Sequence, residues 1–458
     1  MGQAEIVTLG LIHIFVLLLC LAGAASFAML LKGCFVLRRM GRSVARDDSP
    51  ILLKSPLVPA VSVIAVTRDA SIESREFVRR LVGLHFGKHE VVLVLDGASA
   101  SALEVWTRDF HLLRSGRTDP APPGLRPTAQ VRDTYESTDP YSLVVVDKER
   151  GGEADAINAG VRAASSPWLA LIGPESEFEP TVLLRMIHPI LEWPDTLGVC
   201  AGAPALPGGG LVGHIAALES LRAWLGRFAA MSGYNLLGPI PGCTMLLKRD
   251  AVVTVGGFRT GALEMFLRLH ALARAARTSY RVALVPDPIS RCRTPLSMDE
   301  LRRFSMFEQW GIARALGFRS SWNQGLLPLG WLVPALFCDR FLRPLIETLV
   351  YVLAVVALVA GWLNRPLAGL VLLSTVGTGI LVSMAAIVFR ELTEMSGSDP
   401  GQLARMFLSV LPENLGYRQL RNFWLVAGYR RHGPEAEKQS RGREDRTPRP
   451  AASRPAGN

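Results

Sequence analysis

Glu90-Val91-Val92-Leu93-Val94-Leu95-Asp96-Gly97 holds an unbroken run of five apolar residues, three of them valine, closed by an Asp-Gly pair. A run this short that ends on a turn signal reads as a strand covered on both faces. Residues 60–66 repeat the pattern upstream, and the amphipathic stretch 72–84 fits a helix between the two; 102–113 fits a second helix beyond. Apolar strands alternating with helices of this length predict βαβ units, an α/β fold and a mostly parallel central sheet. Residues 114–140 break the alternation with Arg-, Pro- and Gly-rich sequence, including Pro120-Ala121-Pro122-Pro123-Gly124, and read as a flexible surface insertion. The alternation resumes with a strand at 143–146, a helix over about 154–164 and a strand at 168–172, and it runs on to a helix at 297–316.

The 458-residue chain is 49% hydrophobic with a net charge of +10, and its mean hydropathy of +0.26 is high for a wholly soluble protein. Three runs, 6–31, 345–363 and 367–389, approach the length of a bilayer crossing. The first is followed by Lys32, Arg38, Arg39, Arg42 and Arg46 rather than preceded by positive charge, so it reads as an uncleaved helix and not a signal peptide. The positive-inside rule then predicts an outer N-terminus, with the main domain and the C-terminus in the cytoplasm of a bacterial-type inner membrane. The positive charge gathers beside these runs and in the tail, at Arg430, Arg431, Lys438, Arg441 and Arg443, where it suits anionic lipid headgroups; no nucleic-acid motif accompanies it. Six scattered cysteines without C-x-x-C spacing indicate reduced, mostly buried thiols. Gly208-Gly209-Gly210 reads as a loop, and no P-loop or Ser-His-Asp pattern is present.

Several stretches, in order along nearly the whole chain, resemble the membrane-bound processive branch of family 2 glycosyltransferases, which contains cellulose, hyaluronan and poly-N-acetylglucosamine synthases. Val61-Ser62-Val63-Ile64 resembles the first strand of their nucleotide-binding half, and 90–97 the strand that ends in D-D-G-S. Gly151-Gly152-Glu153-Ala154-Asp155-Ala156-Ile157-Asn158-Ala159-Gly160 is similar to their G-G-K-A-x-A-x-N-x-G helix start, and Pro241-Gly242-Cys243-Thr244 through Gly256-Gly257-Phe258 to the acceptor-side motif. Pro286-Asp287-Pro288, Gln309-Trp310 and Glu413-Asn414-Leu415-Gly416-Tyr417-Arg418-Gln419-Leu420 follow in place. The resemblance implies a GT-A-type nucleotide-sugar domain and inverting transfer from a UDP- or GDP-linked donor to a glycan or lipid-linked acceptor. That step needs a general base and a cation, Mg2+ or Mn2+, on the leaving diphosphate.

At the chemical positions the sequence departs from the pattern. Gly173-Pro174-Glu175 stands for D-x-D, leaving Glu175 with Glu177 either as metal ligands or as carboxylates of a solvated loop. The catalytic base maps to Ala262; Glu264, two residues on, either replaces it through a register shift or is an ordinary helix carboxylate. Leu95 replaces the first aspartate of D-D-G-S, so Asp96 is the candidate for the base or ribose, with Asp69, Asp155 and Asn158 as further nucleotide-side candidates. Glu153 reverses the charge of the lysine in G-G-K, and Gln309 replaces the arginine of Q-x-x-R-W. Trp310 and Gly242 remain on the acceptor side, Trp310 either stacking on a sugar or filling a core.

The expected organisation is a transmembrane helix over 1–32, a basic linker over 33–58 and a GT-A-like domain over 59–318. An interfacial segment over 319–343, two transmembrane helices over 344–390, an amphipathic segment over 391–432 and a disordered basic tail over 433–458 complete it. Glu347, at the edge of the second crossing, is expected to snorkel or to pair with Arg343, and His13 to be a neutral imidazole bonded inside the bundle. Two functions stay open. One is an impaired transferase acting on an envelope or exopolysaccharide glycan. The other is a non-catalytic pseudo-glycosyltransferase that binds or assembles beside an intact synthase.

Overall fold

The computed structural model describes residues 2–41, 57–116, 120, 122–138, 142–287, 289–317, 336–393 and 399–428. Most of the basic linker, the greater part of the interfacial segment and the basic tail lie outside the described residues.

Strands β1 (Val61–Thr67), β2 (His89–Asp96), β3 (Leu112–Arg114), β4 (Val131–Ser137), β5 (Leu143–Lys148), β6 (Trp168–Leu171), β8 (Thr196–Ala201), β9 (Thr244–Lys248) and β10 (Arg281–Val285) form one nine-stranded sheet in the order 10-8-9-6-1-2-5-4-3. The short strands β7 (Ser176–Phe178) and β11 (Ser290–Cys292) pair separately and antiparallel. Only β4 and β9 run against the common direction of the large sheet, so the expected mostly parallel sheet is present. The reason is visible in β1, β2 and β5, whose side chains are buried on both faces and which therefore belong in the middle of a covered sheet. Val63, Leu93 and Val145 face helices α2 (Ile72–Val82) and α3 (Ala100–Asp109), whereas Ile64, Val94 and Val146 face α4 (Glu153–Ala163). Glu90, buried near the start of β2, is satisfied by the hydroxyls of Ser62 and Ser165 and the Ser165 N–H.

Two sequence expectations change at the 3-4 edge. The helix expected over 102–113 stops at Asp109, His111 turns with φ +46°, and 112–114 is strand β3. Within the stretch expected to be a flexible insertion, 131–137 is strand β4, paired on both sides. Its alternation of half-buried and exposed residues is that of a strand near a sheet edge, with too few apolar positions to stand out in the sequence.

The chain continues through α5 (Val182–Glu192), α6 (Gly210–Ala223), α7 (Arg249–Thr254), α8 (Ala262–Ala275) and α9 (Met298–Gly317). Helix α6 starts at the last residue of Gly208-Gly209-Gly210, the run read as a loop, and is prolonged by a π-helical turn at Trp224–Ala229. Three helical stretches are long and apolar enough to cross a membrane: Gln3–Met40, Cys338–Val359 and Arg365–Thr393. They contain α1 (Gln3–Gly41), α10 (Arg343–Val359), α11 (Arg365–Leu372) and α12 (Thr378–Thr393); α13 (Pro400–Pro412) and α14 (Arg418–Gly428) follow.

Helix α1 is longer than the expected 1–32 and runs on through Arg38 and Arg39 because its second half is seated on the α/β domain. Leu30 and Leu37 of α1, Val382 and Ile387 of α12 and Met406 of α13 share one apolar core with Ile64, Val94 and Leu225. Gly33 makes the seat possible: a Cβ there would lie 2.0 Å from the Leu225 carbonyl oxygen. The outer parts of α1 and α10 leave Leu17, Leu21, Val352 and Val355 exposed, as lipid-facing surfaces require.

Glu347 does not take the expected partner. It pairs with Arg418 of α14 at 2.9 Å and accepts from the Tyr351 hydroxyl at 3.0 Å, since the packing of α14 on α10 brings that guanidinium closer than Arg343. His13 is exposed and bonds the Leu9 carbonyl one turn back in its own helix. All six cysteines are free; Cys34, Cys200 and Cys243 are buried, Cys292 half-buried, and Cys20 and Cys338 exposed.

Candidate active site

The parallel strands β1, β2, β5 and β6 end along one edge, and the loops leaving them carry Asp69, Asp96, Lys148 and Gly173-Pro174-Glu175. In an open α/β sheet this is the edge at which ligands bind.

Asp96 is the last residue of β2 and is 1% exposed. Its Oδ1 accepts from Lys148 Nζ at 2.9 Å and from the Gly151 N–H at 2.8 Å, and Oδ2 accepts from the Gly152 N–H at 3.1 Å. Arg68, leaving β1, adds positive charge 3.7 Å away. Burial opposes ionisation of this carboxyl, but the Gly151 N–H, Lys148 and the Gly152 N–H outweigh it and hold the pKa below the ordinary range. Lys148 ends β5 and is fully buried. Its ammonium also meets Asp155 Oδ1 at 2.6 Å and the Glu149 carbonyl at 2.6 Å. Asp155, in the first turn of α4, uses Oδ2 to accept from the Ala129 N–H. Asp96 and Asp155 are thus brought together, but by a lysine of the chain itself.

Glu153 is exposed in the first turn of α4, where the helix dipole favours a carboxylate. Lys148 was missed in the sequence; its position on the strand before the Gly151-Gly152 turn is the signal that would have found it. Arg132 was missed as well. It reaches from β4 to Asp147 at 3.4 Å and to the Lys148 carbonyl at 3.2 Å. Burial pushes the Asp147 carboxyl up, with Arg132 opposing and Asp133 adding to the rise.

Asp69 lies on the same edge, in the turn before α2. Its Oδ1 accepts from the Ser74 hydroxyl at 2.7 Å and the Ser71 N–H at 3.3 Å, and its carbonyl accepts from Trp106 Nε1. The aspartate therefore organises the start of α2.

The acceptor-side residues converge on the turn 255–258. Asn158 donates from Nδ2 to the Phe258 carbonyl at 2.7 Å and accepts the Phe258 N–H on Oδ1 at 2.8 Å. Gly257, at φ +71°, leaves room for this amide: a Cβ there would sit 2.4 Å from Asn158 Oδ1. From the other side Arg268 donates to the carbonyls of Val255 and Gly257 and is held by Glu264, one turn back on α8. Glu264 is 2% exposed, so its carboxylate is committed to Arg268. Gly242, at φ +67°, abuts Cys292 Sγ and accepts from Ser176 Oγ at 2.9 Å. Trp310 is half-buried on α9, and its neighbour Gln309 is buried with neither amide atom hydrogen-bonded among the described residues.

Glu175 and Glu177 are exposed at β7, where burial and then these two charges push the Cys292 thiol up to about 11. Among the described residues no group of three or more His, Cys, Asp and Glu side chains is placed to hold a metal ion. Gly173 contributes no ligand and Asp96 and Asp155 are engaged by Lys148, so the exposed Glu175 and Glu177 are the carboxylates left for the expected Mg2+ or Mn2+.

No family model and no curated protein matches the chain. Similar solved structures include a mannosyltransferase, PcManGT from Pyrobaculum calidifontis, in complex with GDP-Man and Mn2+, at 16% identity, 86% of this chain, 99% of that one and a TM-score of 0.48. Another is S. aureus TarS 1-349 in complex with UDP-GlcNAc, at 10% identity, 79% of this chain, 92% of that one and a TM-score of 0.38. At these values the likeness says nothing of substrate or chemistry.

Proposed function

We propose that this chain is a membrane-anchored pseudo-glycosyltransferase of the family 2, GT-A type. It keeps the nucleotide-sugar scaffold as a binding or assembly subunit for a polysaccharide synthase and does not transfer sugar itself. The observation that carries the reading is the buried Asp96–Lys148–Asp155 network. An internal ammonium takes the carboxylates that a nucleotide's ribose or base would otherwise meet.

The acceptor side supports the same conclusion. A general base must have a carboxylate free to reach the attacking hydroxyl. Ala262 has none, and Glu264 spends its own on Arg268, which in turn fastens 255–258. The candidate site residues therefore act as structural fasteners: Asn158 and Glu264 hold one turn, and Asp69 and Asp96 hold two others. Loss of chemistry with retention of fold needs no change in architecture, because function resides in the site.

Calorimetric titration of the full-length protein in detergent with UDP, GDP and their sugar conjugates, with and without Mn2+, tests this. No heat of binding up to millimolar nucleotide is expected. Micromolar affinity that depends on Mn2+ and is lost in Glu175→Ala would reject the reading and favour the impaired transferase.

A further inference from the structure

The junction between the α/β domain and the membrane helices carries a second cluster of charge, which the reading above does not use. Between Phe337 and Glu347 the helix has two unlike faces. Phe337, Phe341, Leu342 and Leu345 line an apolar cavity of about 200 Å3, with the first two rings stacked 5.5 Å apart. The other face bears Asp339, Arg340 and Arg343. Arg340 pairs with Glu308 of α9 at 2.9 Å, and Arg343 lies 3.9 Å from Asp339 and donates to Ser26 of α1 at 2.9 Å. Arg421 of α14, bonded to Glu219 of α6, also acts electrostatically on Asp339.

Two deficits stand out. Among the described residues, the ion pairs that tie α6, α9, α10 and α14 together join six guanidinium groups to five carboxylates, one cation in excess. In addition, among the described residues Arg340 Nε, Arg421 Nε and the Asn422 amide are buried without a hydrogen-bond partner; an Asp339 carboxylate oxygen lies 3.6 Å from Arg340 Nε. A buried donor with no acceptor is costly, and native structures resolve it with water or an ion. An anion rich in acceptor oxygens removes both deficits, and the apolar cavity one helix face away suits an alkyl chain.

We propose that an anionic phospholipid from the adjacent leaflet binds at this junction. Its phosphate accepts from Arg340 and Arg421 beside Arg343, and an acyl chain lies along Phe337, Phe341 and Leu345. The lipid would lock α9, α10 and α14 together, so the α/β domain is held on the membrane in one orientation. This does not depend on whether the chain transfers sugar.

Native mass spectrometry of the full-length protein from nanodiscs of phosphatidylcholine with one-fifth phosphatidylglycerol tests it. Wild type is expected to retain one phosphatidylglycerol in preference to phosphatidylcholine. Arg340→Gln/Arg343→Gln should bind it roughly 30-fold more weakly, given the usual contribution of a basic residue at an anionic surface, and Arg340→Lys should recover part of the loss. Equal retention of the two lipids, or an unchanged double variant, overturns the proposal. So does inorganic phosphate competing at micromolar concentration, because the site would then be one for a free anion. If the double variant does not fold, Phe341→Ser decides: retention equal to wild type refutes the chain-binding groove.

Discussion

Replacing Lys148 by methionine removes a fully buried ammonium while keeping most of the side-chain volume. It leaves Asp96, 1% exposed, and Asp155 without their shared cation. Removing one partner of a buried pair costs about 3–5 kcal/mol, since the remaining charge is stranded. Asp96 keeps its hydrogen bonds from Gly151 and Gly152, which places the expected loss at the lower end, about 3 kcal/mol. For an α/β domain of this size that corresponds to a fall in Tm of roughly 6–12 °C.

The pH dependence follows from the direction of the shift. The folded pKa of Asp96 lies below its unfolded value, so its contribution is complete above the ordinary carboxylate range and is lost as pH falls through the folded pKa. In Lys148→Met the carboxyl protonates more readily, and the gap between variant and wild type should narrow below about pH 4. Differential scanning fluorimetry of both proteins in detergent from pH 2.5 to 8 measures this. Lys148→Met/Asp96→Asn/Asp155→Asn should regain most of the loss. A fall of less than about 2 °C at pH 7, or a triple variant no better than the single one, would refute the network as the organiser of this edge.

Three further outcomes are expected. Burial pushes His270 down to about 4 while its Nε2 contacts the Leu237 carbonyl. The unfolded chain therefore takes up a proton that the folded chain refuses, and stability, full above about pH 6.5, should fall by about 3 kcal/mol towards pH 4; His270→Gln should flatten that part of a pH–Tm profile. Gly33→Leu should abolish the seating of α1 on the domain and give aggregated protein on size exclusion, whereas Gly10→Leu, with nothing within 4 Å of its Cβ, should be silent. Glu264→Ala strands Arg268 and should lower stability by about 3 kcal/mol; chemical denaturation reads the loss, and limited proteolysis should show new cleavage near 255–258.

The central strands were legible because each is a short apolar run buried on both faces, a pattern that needs no tertiary knowledge. Strand β4 was not, since Val131–Ser137 is largely polar and owes its state to β3 and β5 on either side. The length of α1 was hidden for a similar reason. Arg38 and Arg39 mark the end of an apolar run, but the helix continues because the π-helical turn Trp224–Ala229 and α12 offer it a surface. At the site, Asp96 was placed at its strand end from the sequence alone. What it bonds depends on a lysine 52 residues away that looks, in isolation, like any polar strand terminus. Glu264 was placed on its helix from the sequence, but its pairing with Arg268 one turn on was not read there, and the hold of Arg268 on the Val255 and Gly257 carbonyls requires the turn to fold back on α8.

The most direct test is transfer of radiolabelled sugar by the purified full-length protein in nanodiscs, supplied with UDP- and GDP-linked hexoses, Mg2+ or Mn2+, and glycan or lipid-phosphate acceptors. With the Asp96–Lys148–Asp155 network and the Glu264–Arg268 pair in place, labelled product should not exceed the level without protein. Sustained turnover that Glu175→Ala or Glu264→Ala eliminates, in variants that remain folded, would contradict it.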